Sequence, residues 1–148
     1  MTEEHIYPVT LESTGLKTGE LASSTDGLPV IEVSSPPQFG GPANTWSPEH
    51  LYVAALASCL MTTFRAIAAA SDVEIVKYRD HADGHLTRDE NRLYRVDEVT
   101  LRPEIVITDA SKLEKARRIL AKAEKACLVS RSVNTVVKLE GSIQAAEV

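Results

Sequence analysis

Cysteine is scarce in this chain of 148 residues: there are two, Cys59 and Cys127, and no CxxC spacing links them. A framework of disulfides is therefore excluded as the basis of stability. Basic charge is also short, with a net charge of −5 and a pI near 5.4. That balance argues against a nucleic-acid partner or an anionic membrane surface, both of which need a basic excess. The uncharged and largely apolar stretch from Leu51 to Phe64 has 14 residues; it is too short to span a bilayer and fits a buried helix. The start, "MTEEHIYPVT", has neither a basic n-region nor an apolar h-region, so a cytoplasmic location is the expectation. In that compartment the thiols stay reduced, and any bond between them is transient and chemical.

What is present reads as one α+β domain over residues 1–148, in the order βββ–α–ββ–α–β, with an antiparallel sheet. Residues 5–13 alternate as a strand, with Pro8 placing it at an edge. "ELASSTDGLPVIEV" reads as a hairpin turning at Asp26-Gly27. Next, "SSPPQFGGPANTWSPEH" holds four of the seven prolines in 17 residues, the composition of an ordered and often functional loop. Ser47 as cap, Pro48 at the first position and Glu49 in the first turn then start a helix. Apolar or small residues follow to Ala70 on nearly every face, which predicts a helix buried all round. "VEIVKYRDHADGHLTRDE" and "RLYRVDEVTLRPEIVIT" alternate as two long antiparallel strands turning near "RDEN". Residues 109–130 form an amphipathic helix with Leu113, Ala116, Leu120, Ala123 and Cys127 on one stripe. "SVNTVVKLEGSI" is the last strand.

Each thiol has an ordinary reading as a small buried hydrophobe. Against it, both cysteines fall on predicted helices that face the core, where they can meet. Ser58, Thr62 and Thr63 also crowd Cys59 with more polar groups than packing needs, although such hydroxyls can bond back to the preceding turn. A nucleophilic thiol requires stabilisation of its thiolate. Cys59 lies too deep in its helix for the N-terminal dipole to act, so a cation must come from elsewhere. Lys17 and Arg131 are both candidates; Arg65, six residues on, points to another face. Other chemistries find less support. His5, His50, His81 and His85 show no convincing metal-ligand spacing, "PQFGGP" lacks the Lys-Ser/Thr of a phosphate loop, and "WSPEH" is no nucleophile elbow.

Two blocks, "FGGPANTWSPEHLYVAALASCL" and "KACLVSRSV", resemble the OsmC/Ohr family of bacterial thiol peroxidases in motif and order, and the likeness extends over nearly the whole chain. The resemblance implies an OsmC-like fold in an intertwined homodimer with active sites at the subunit interface. It implies that Cys59 is the peroxidatic thiolate, attacking an organic hydroperoxide to leave a sulfenic acid. Cys127 is then the resolving thiol that closes a disulfide, and a dithiol such as dihydrolipoamide or a lipoylated protein reopens it. No metal, haem or flavin takes part. Glu49 matches the glutamate that holds a catalytic arginine in the family. Ten helical residues put it about 15 Å from Cys59, so the family's arrangement requires Glu49 of one chain beside Cys59 of another. Two departures stand out. No arginine precedes Arg65, so the family's arginine in the first sheet has no counterpart, and Lys17 is the nearest basic residue there. Lysine does not reproduce a bidentate arginine clamp. Leu128 also stands where many relatives have proline. The missing arginine keeps a second expectation open, an OsmC-fold small-molecule binding protein with weak or no turnover. A two-cysteine domain with no redox chemistry is the third. Phe39, Trp46, Tyr52, Met61 and Phe64 are apolar candidates for pocket walls.

Overall fold

The signals for a helix start at Ser47-Pro48 act as their chemistry requires. Ser47 Oγ accepts the backbone N–H of His50 at 3.1 Å, and helix α1 runs unbroken over Pro48–Ala70. The computed structural model describes residues 2–23, 25 and 27–147, and the chain divides into two units, Met1–Leu51 and Tyr52–Val148.

The first unit is a three-stranded antiparallel meander of β1 (Thr10–Ser13), β2 (Thr18–Ala22) and β3 (Ile31–Ser34). Only the last four residues of the expected first strand pair, and the expected β2–β3 hairpin forms. Its turn was assigned to Asp26-Gly27; Gly27 has φ +58, and Asp26 lies outside the described residues. The proline-rich loop is ordered by backbone bonds. Ser34 N–H donates to Trp46 O at 2.9 Å and Ser35 N–H to Lys17 O at 3.1 Å. A Cβ on Gly41 would sit 1.6 Å from the Ser35 carbonyl oxygen, so only glycine fits this close approach.

The second unit holds the hydrophobic core. Each expected long strand is broken in the middle, giving β4 (Ile75–Asp80) and β5 (Asp83–Arg88), β6 (Tyr94–Leu101) and β7 (Pro103–Ile107), and β8 (Val136–Leu139) and β9 (Ser142–Ala145). The halves form two sheets, β4-β7-β9 and β5-β6-β8. Pro103 explains the central break, since it has no N–H to continue the ladder. Arg102 fastens all three breaks at one level. Its N–H donates to Asp80 Oδ1 at 2.7 Å, and its guanidinium donates to Asp83 Oδ2 at 2.5 Å, His81 O at 3.3 Å and Glu140 Oε2 at 3.3 Å. The β4–β7 and β5–β6 pairs are antiparallel as expected. The closing strand instead pairs in parallel, β6 with β8 and β7 with β9, because α2 (Leu113–Ala126) carries the chain back across the sheet before β8 begins.

One expectation is corrected. Helix α1 is not buried all round: Leu56, Leu60, Phe64 and Ala68 form a single stripe of at most 1% exposure. Ala55, Ser58, Thr62, Arg65, Ala66 and Ala69 are exposed. Composition misled because small uncharged residues suit a buried face and an open one alike. At 23 residues α1 is also longer than its uncharged segment, and by length and composition alone it would suffice to cross a membrane. Its buried stripe instead joins Val99, Leu101, Ile105 and Ile107 from the sheets and Ala116, Ile119, Leu120 and Ala123 from α2 in one core cluster. Gly84 on β5 admits Val53 of α1, whose Cγ2 would lie 2.6 Å from an added Cβ.

Phe64 is fully buried, and its ring lies 5.8 Å from that of Tyr78. Phe64→Ala is expected to cost about 3–5 kcal/mol, measured as a lowered urea midpoint with an unchanged slope.

Candidate active site

Cys59 sits at the edge of the α1 stripe, one residue before buried Leu60, and is half-buried. Cys127 ends α2 as its C-cap residue, with its N–H donated to Ala123 O at 2.9 Å. It is 1% exposed. The core packing that joins α1 to α2 brings these thiols together, so that each lies within hydrogen-bonding reach of the other. They remain unbonded thiols.

The polar neighbours divide by role. Ser58 and Thr62 bond back to the carbonyls of Ala55 and Cys59 at 3.3 and 3.1 Å, satisfying themselves within the helix. Thr63, one turn beyond Cys59, instead hydrogen-bonds its sulfur. On the other side, Ser130 Oγ donates to Cys127 Sγ at 3.4 Å, and the backbone groups of Val129 and Ser130 also favour the Cys127 thiolate. These residues belong to the turn after α2, closed by Arg131 N–H to Cys127 O at 3.1 Å.

This environment separates the two thiols electrostatically. Burial, reinforced by the neighbouring Cys127, pushes the Cys59 thiol up from its ordinary range despite the Val129 backbone and Thr63. Burial also opposes ionisation of Cys127, but hydrogen bonds from Cys59, the Ser130 hydroxyl and the Ser130 and Val129 backbone outweigh it and hold that thiol down. Within one chain Cys127 therefore gives up its proton more readily than Cys59. Tyr78 stands close enough to feel this charge. Burial, Asp80 and Cys127 push its hydroxyl well above the ordinary tyrosine range, and that hydroxyl is buried without a partner.

Lys17, in the first unit, donates Nζ to Phe39 O at 2.8 Å. Arg131 is exposed and reaches Cys127 only through its backbone N–H. The main influences on the two thiols are burial, each other, and nearby hydroxyl and backbone groups. Glu49 occupies the first turn of α1, and its Oε2 is buried without a hydrogen-bond partner. Among the described residues, no group of three or more His, Cys, Asp or Glu side chains is placed to hold a metal. Of the apolar candidates, Phe64 is core, Phe39 and Trp46 are exposed, and Tyr52 bonds Thr135 Oγ1 through its hydroxyl at 2.6 Å. Sequence reasoning assigned no role to Ser130 or Tyr78. The signal for Ser130 was present, since a Ser three residues after a cysteine at a helix end can return its hydroxyl to that side chain.

The family model described as OsmC-like protein matches residues 41–141. An OsmC-like protein of unknown function from Vibrio cholerae has the same fold, with 28% identity, a TM-score of 0.81, and coverage of 95% of this chain and 100% of that one. An organic hydroperoxide resistance protein from Elizabethkingia anophelis superposes with a TM-score of 0.76 at 20% identity, covering 99% and 100% of the two chains. An uncharacterized Bacillus subtilis protein, YmaD, is 24% identical over 84% of this chain and 86% of its own length.

A reduced sample titrated by thiolate absorbance at 240 nm should ionise in two separated steps, one below and one above the ordinary thiol value of about 8.5. Both sulfurs are protonated below the first step, one thiolate exists between the steps, and both are ionised above the second. A single unsplit transition near the ordinary value would contradict the shared proton.

Proposed function

The chain belongs to the OsmC-like protein family, and from that membership and the paired thiols we propose that it is a cysteine-based peroxidase reducing organic hydroperoxides to alcohols. The observation that carries this reading is the meeting of Cys59 and Cys127, one half-exposed and one buried, from elements 68 positions apart in sequence. A relative carrying the description organic hydroperoxide resistance protein shares the fold and supports the substrate class.

The chemistry follows from the pair. Cys59 passes its proton to the Cys127 thiolate and attacks the terminal oxygen of the hydroperoxide. The O–O bond breaks, Cys59 becomes a sulfenic acid, and the alkoxide leaves as the alcohol after taking a proton. Cys127 then loses its proton and attacks the Cys59 sulfur, expelling hydroxide and closing the disulfide. A dithiol of the dihydrolipoamide class, free or carried on a lipoylated protein, restores both thiols. The cycle uses no metal or organic cofactor and suits a reducing cytoplasm.

A homodimer belongs to the same reading. The exposed face of α1 is small and has a single charge, Arg65, a surface another copy can cover. The unpartnered Glu49 Oε2 gives such a copy a carboxylate with which to orient a cation beside the partner's thiols. The solution mass is expected to be twice the 16.1 kDa of the chain by light scattering.

A second reading, an OsmC-fold small-molecule binding protein without efficient turnover, rests on the absence of any arginine before Arg65 in the sequence. Steady-state turnover of cumene hydroperoxide with dihydrolipoamide separates the two. Cys59→Ser is expected to lower the rate at least about 100-fold, and Cys127→Ser to stop at a sulfenic acid without a disulfide. Activity unchanged in Cys59→Ser, or absent from the wild type, overturns the peroxidase reading.

A further inference from the structure

The reductive half of the thiol cycle has a direction built into the surroundings of Cys127. A disulfide between Cys59 and Cys127 presents two sulfurs to an incoming thiolate. The sulfur attacked forms the mixed disulfide, and the other leaves as a thiolate. Two independent features differ between them. Access favours Cys59, which is half-buried, over Cys127, which is 1% exposed. Donors favour departure of Cys127: Ser130 Oγ lies 3.4 Å from its sulfur, whereas the Val129 backbone acts on both sulfurs. The turn holding these donors is fixed by Arg131 N–H to Cys127 O at 3.1 Å and Ser132 N–H to Val129 O at 3.0 Å. Ser132 Oγ adds a bond to Leu128 O at 2.7 Å.

Resting on the thiol-cycle reading above, we infer that Ser130 receives Cys127 as the leaving thiolate, so that a dithiol reductant enters at Cys59. In the step, the reductant thiolate attacks Cys59 Sγ, the Cys59–Cys127 bond breaks, and its electron pair goes to Cys127 Sγ. The second reductant thiol, as its thiolate, attacks the reductant sulfur held on Cys59, releasing an oxidised cyclic disulfide and the Cys59 thiolate, which takes up a proton. Two electrons pass from the dithiol to the protein disulfide. Ser130 lowers the barrier because thiol–disulfide exchange quickens as the leaving thiol becomes more acidic.

The test starts from protein oxidised with diamide, so it does not depend on hydroperoxide turnover. Limiting glutathione, rapid acid quench, N-ethylmaleimide and peptide mapping then locate the adduct. Glutathione is expected on Cys59 and maleimide on Cys127; an equal distribution, or glutathione mainly on Cys127, overturns the inference. Ser130→Ala should slow reduction of the disulfide by dihydrolipoamide by about three- to tenfold and raise the share of adduct on Cys127. Ser130→Thr, which keeps the hydroxyl, should restore both. A rate and an adduct ratio unchanged in Ser130→Ala remove Ser130 from the step. If diamide forms the disulfide but hydroperoxide does not, only the peroxidase reading falls; if diamide forms none, both fall.

Discussion

The rotational setting of α1 about its own axis is the constraint on which the thiol site depends. Leu56, Leu60, Phe64 and Ala68 recur every fourth residue and are at most 1% exposed. A helix anchored by four such contacts cannot turn without opening cavities in a core packed at crystalline density. The anchoring leaves Cys59 and Thr63, themselves one turn apart, at the edge of the stripe, each half-buried. A shift of one residue in either direction would change the thiol's place: Ser58 is exposed and Leu60 is buried. Burial of the helix and partial access to its thiol are thus one geometric fact, because a helix stripe has edges as well as a centre.

The second constraint is electrostatic. Cys127 caps the C-terminal end of α2, where carbonyl dipoles disfavour an anion. Its sulfur nonetheless favours the thiolate, because the chain turns immediately and presents the Ser130 hydroxyl and the backbone of Val129 and Ser130. Within the chain, these neutral donors favour the thiolate at short range. The arrangement also explains why the two thiols are unequal although both are shielded from water. Cys59 is opposed in its burial only by the Val129 backbone and Thr63, while Cys127 has the Ser130 hydroxyl and backbone as well as Val129 and the Cys59 thiol. A proton shared across the pair is the consequence.

Much of this was legible in the sequence where local chemistry decides the outcome. Ser47-Pro48 starts α1, and Asp109 caps the turn that leads into α2 by accepting Ser111 N–H at 2.9 Å. Asp89 closes the β5–β6 turn with bonds from Asn91 and Leu93, within the expected "RDEN". Elements set by distant partners were not legible. The breaks in the long strands depend on Arg102 meeting Asp83 and Glu140, 19 and 38 residues away. The parallel setting of β8 and β9 depends on where α2 returns the chain, which alternation within a strand does not encode. One-sided burial of α1 escaped because alanine, serine and threonine read the same whether a neighbour covers them or not.

The same distinction bears on how a chain with no arginine before Arg65 would carry the proposed thiol chemistry. An arginine acts on a thiolate through charge, and its effect weakens when solvent screens it. Hydrogen-bond donors held by the backbone are rigid and lose little entropy when the anion forms. In this chain the Val129 backbone acts on both thiols and the Ser130 backbone and hydroxyl on Cys127, so more stabilisation is delivered to the buried partner of the pair. In the proposed cycle Cys127 would be first a base, then a nucleophile and finally a leaving group, and all three roles use the same sulfur as an anion. Cys59, with fewer donors and more access, is suited to meeting the small molecules on either side of the cycle. The unequal pair therefore assigns exposure to one sulfur and charge to the other, and the packing of α1 against α2 keeps them in contact.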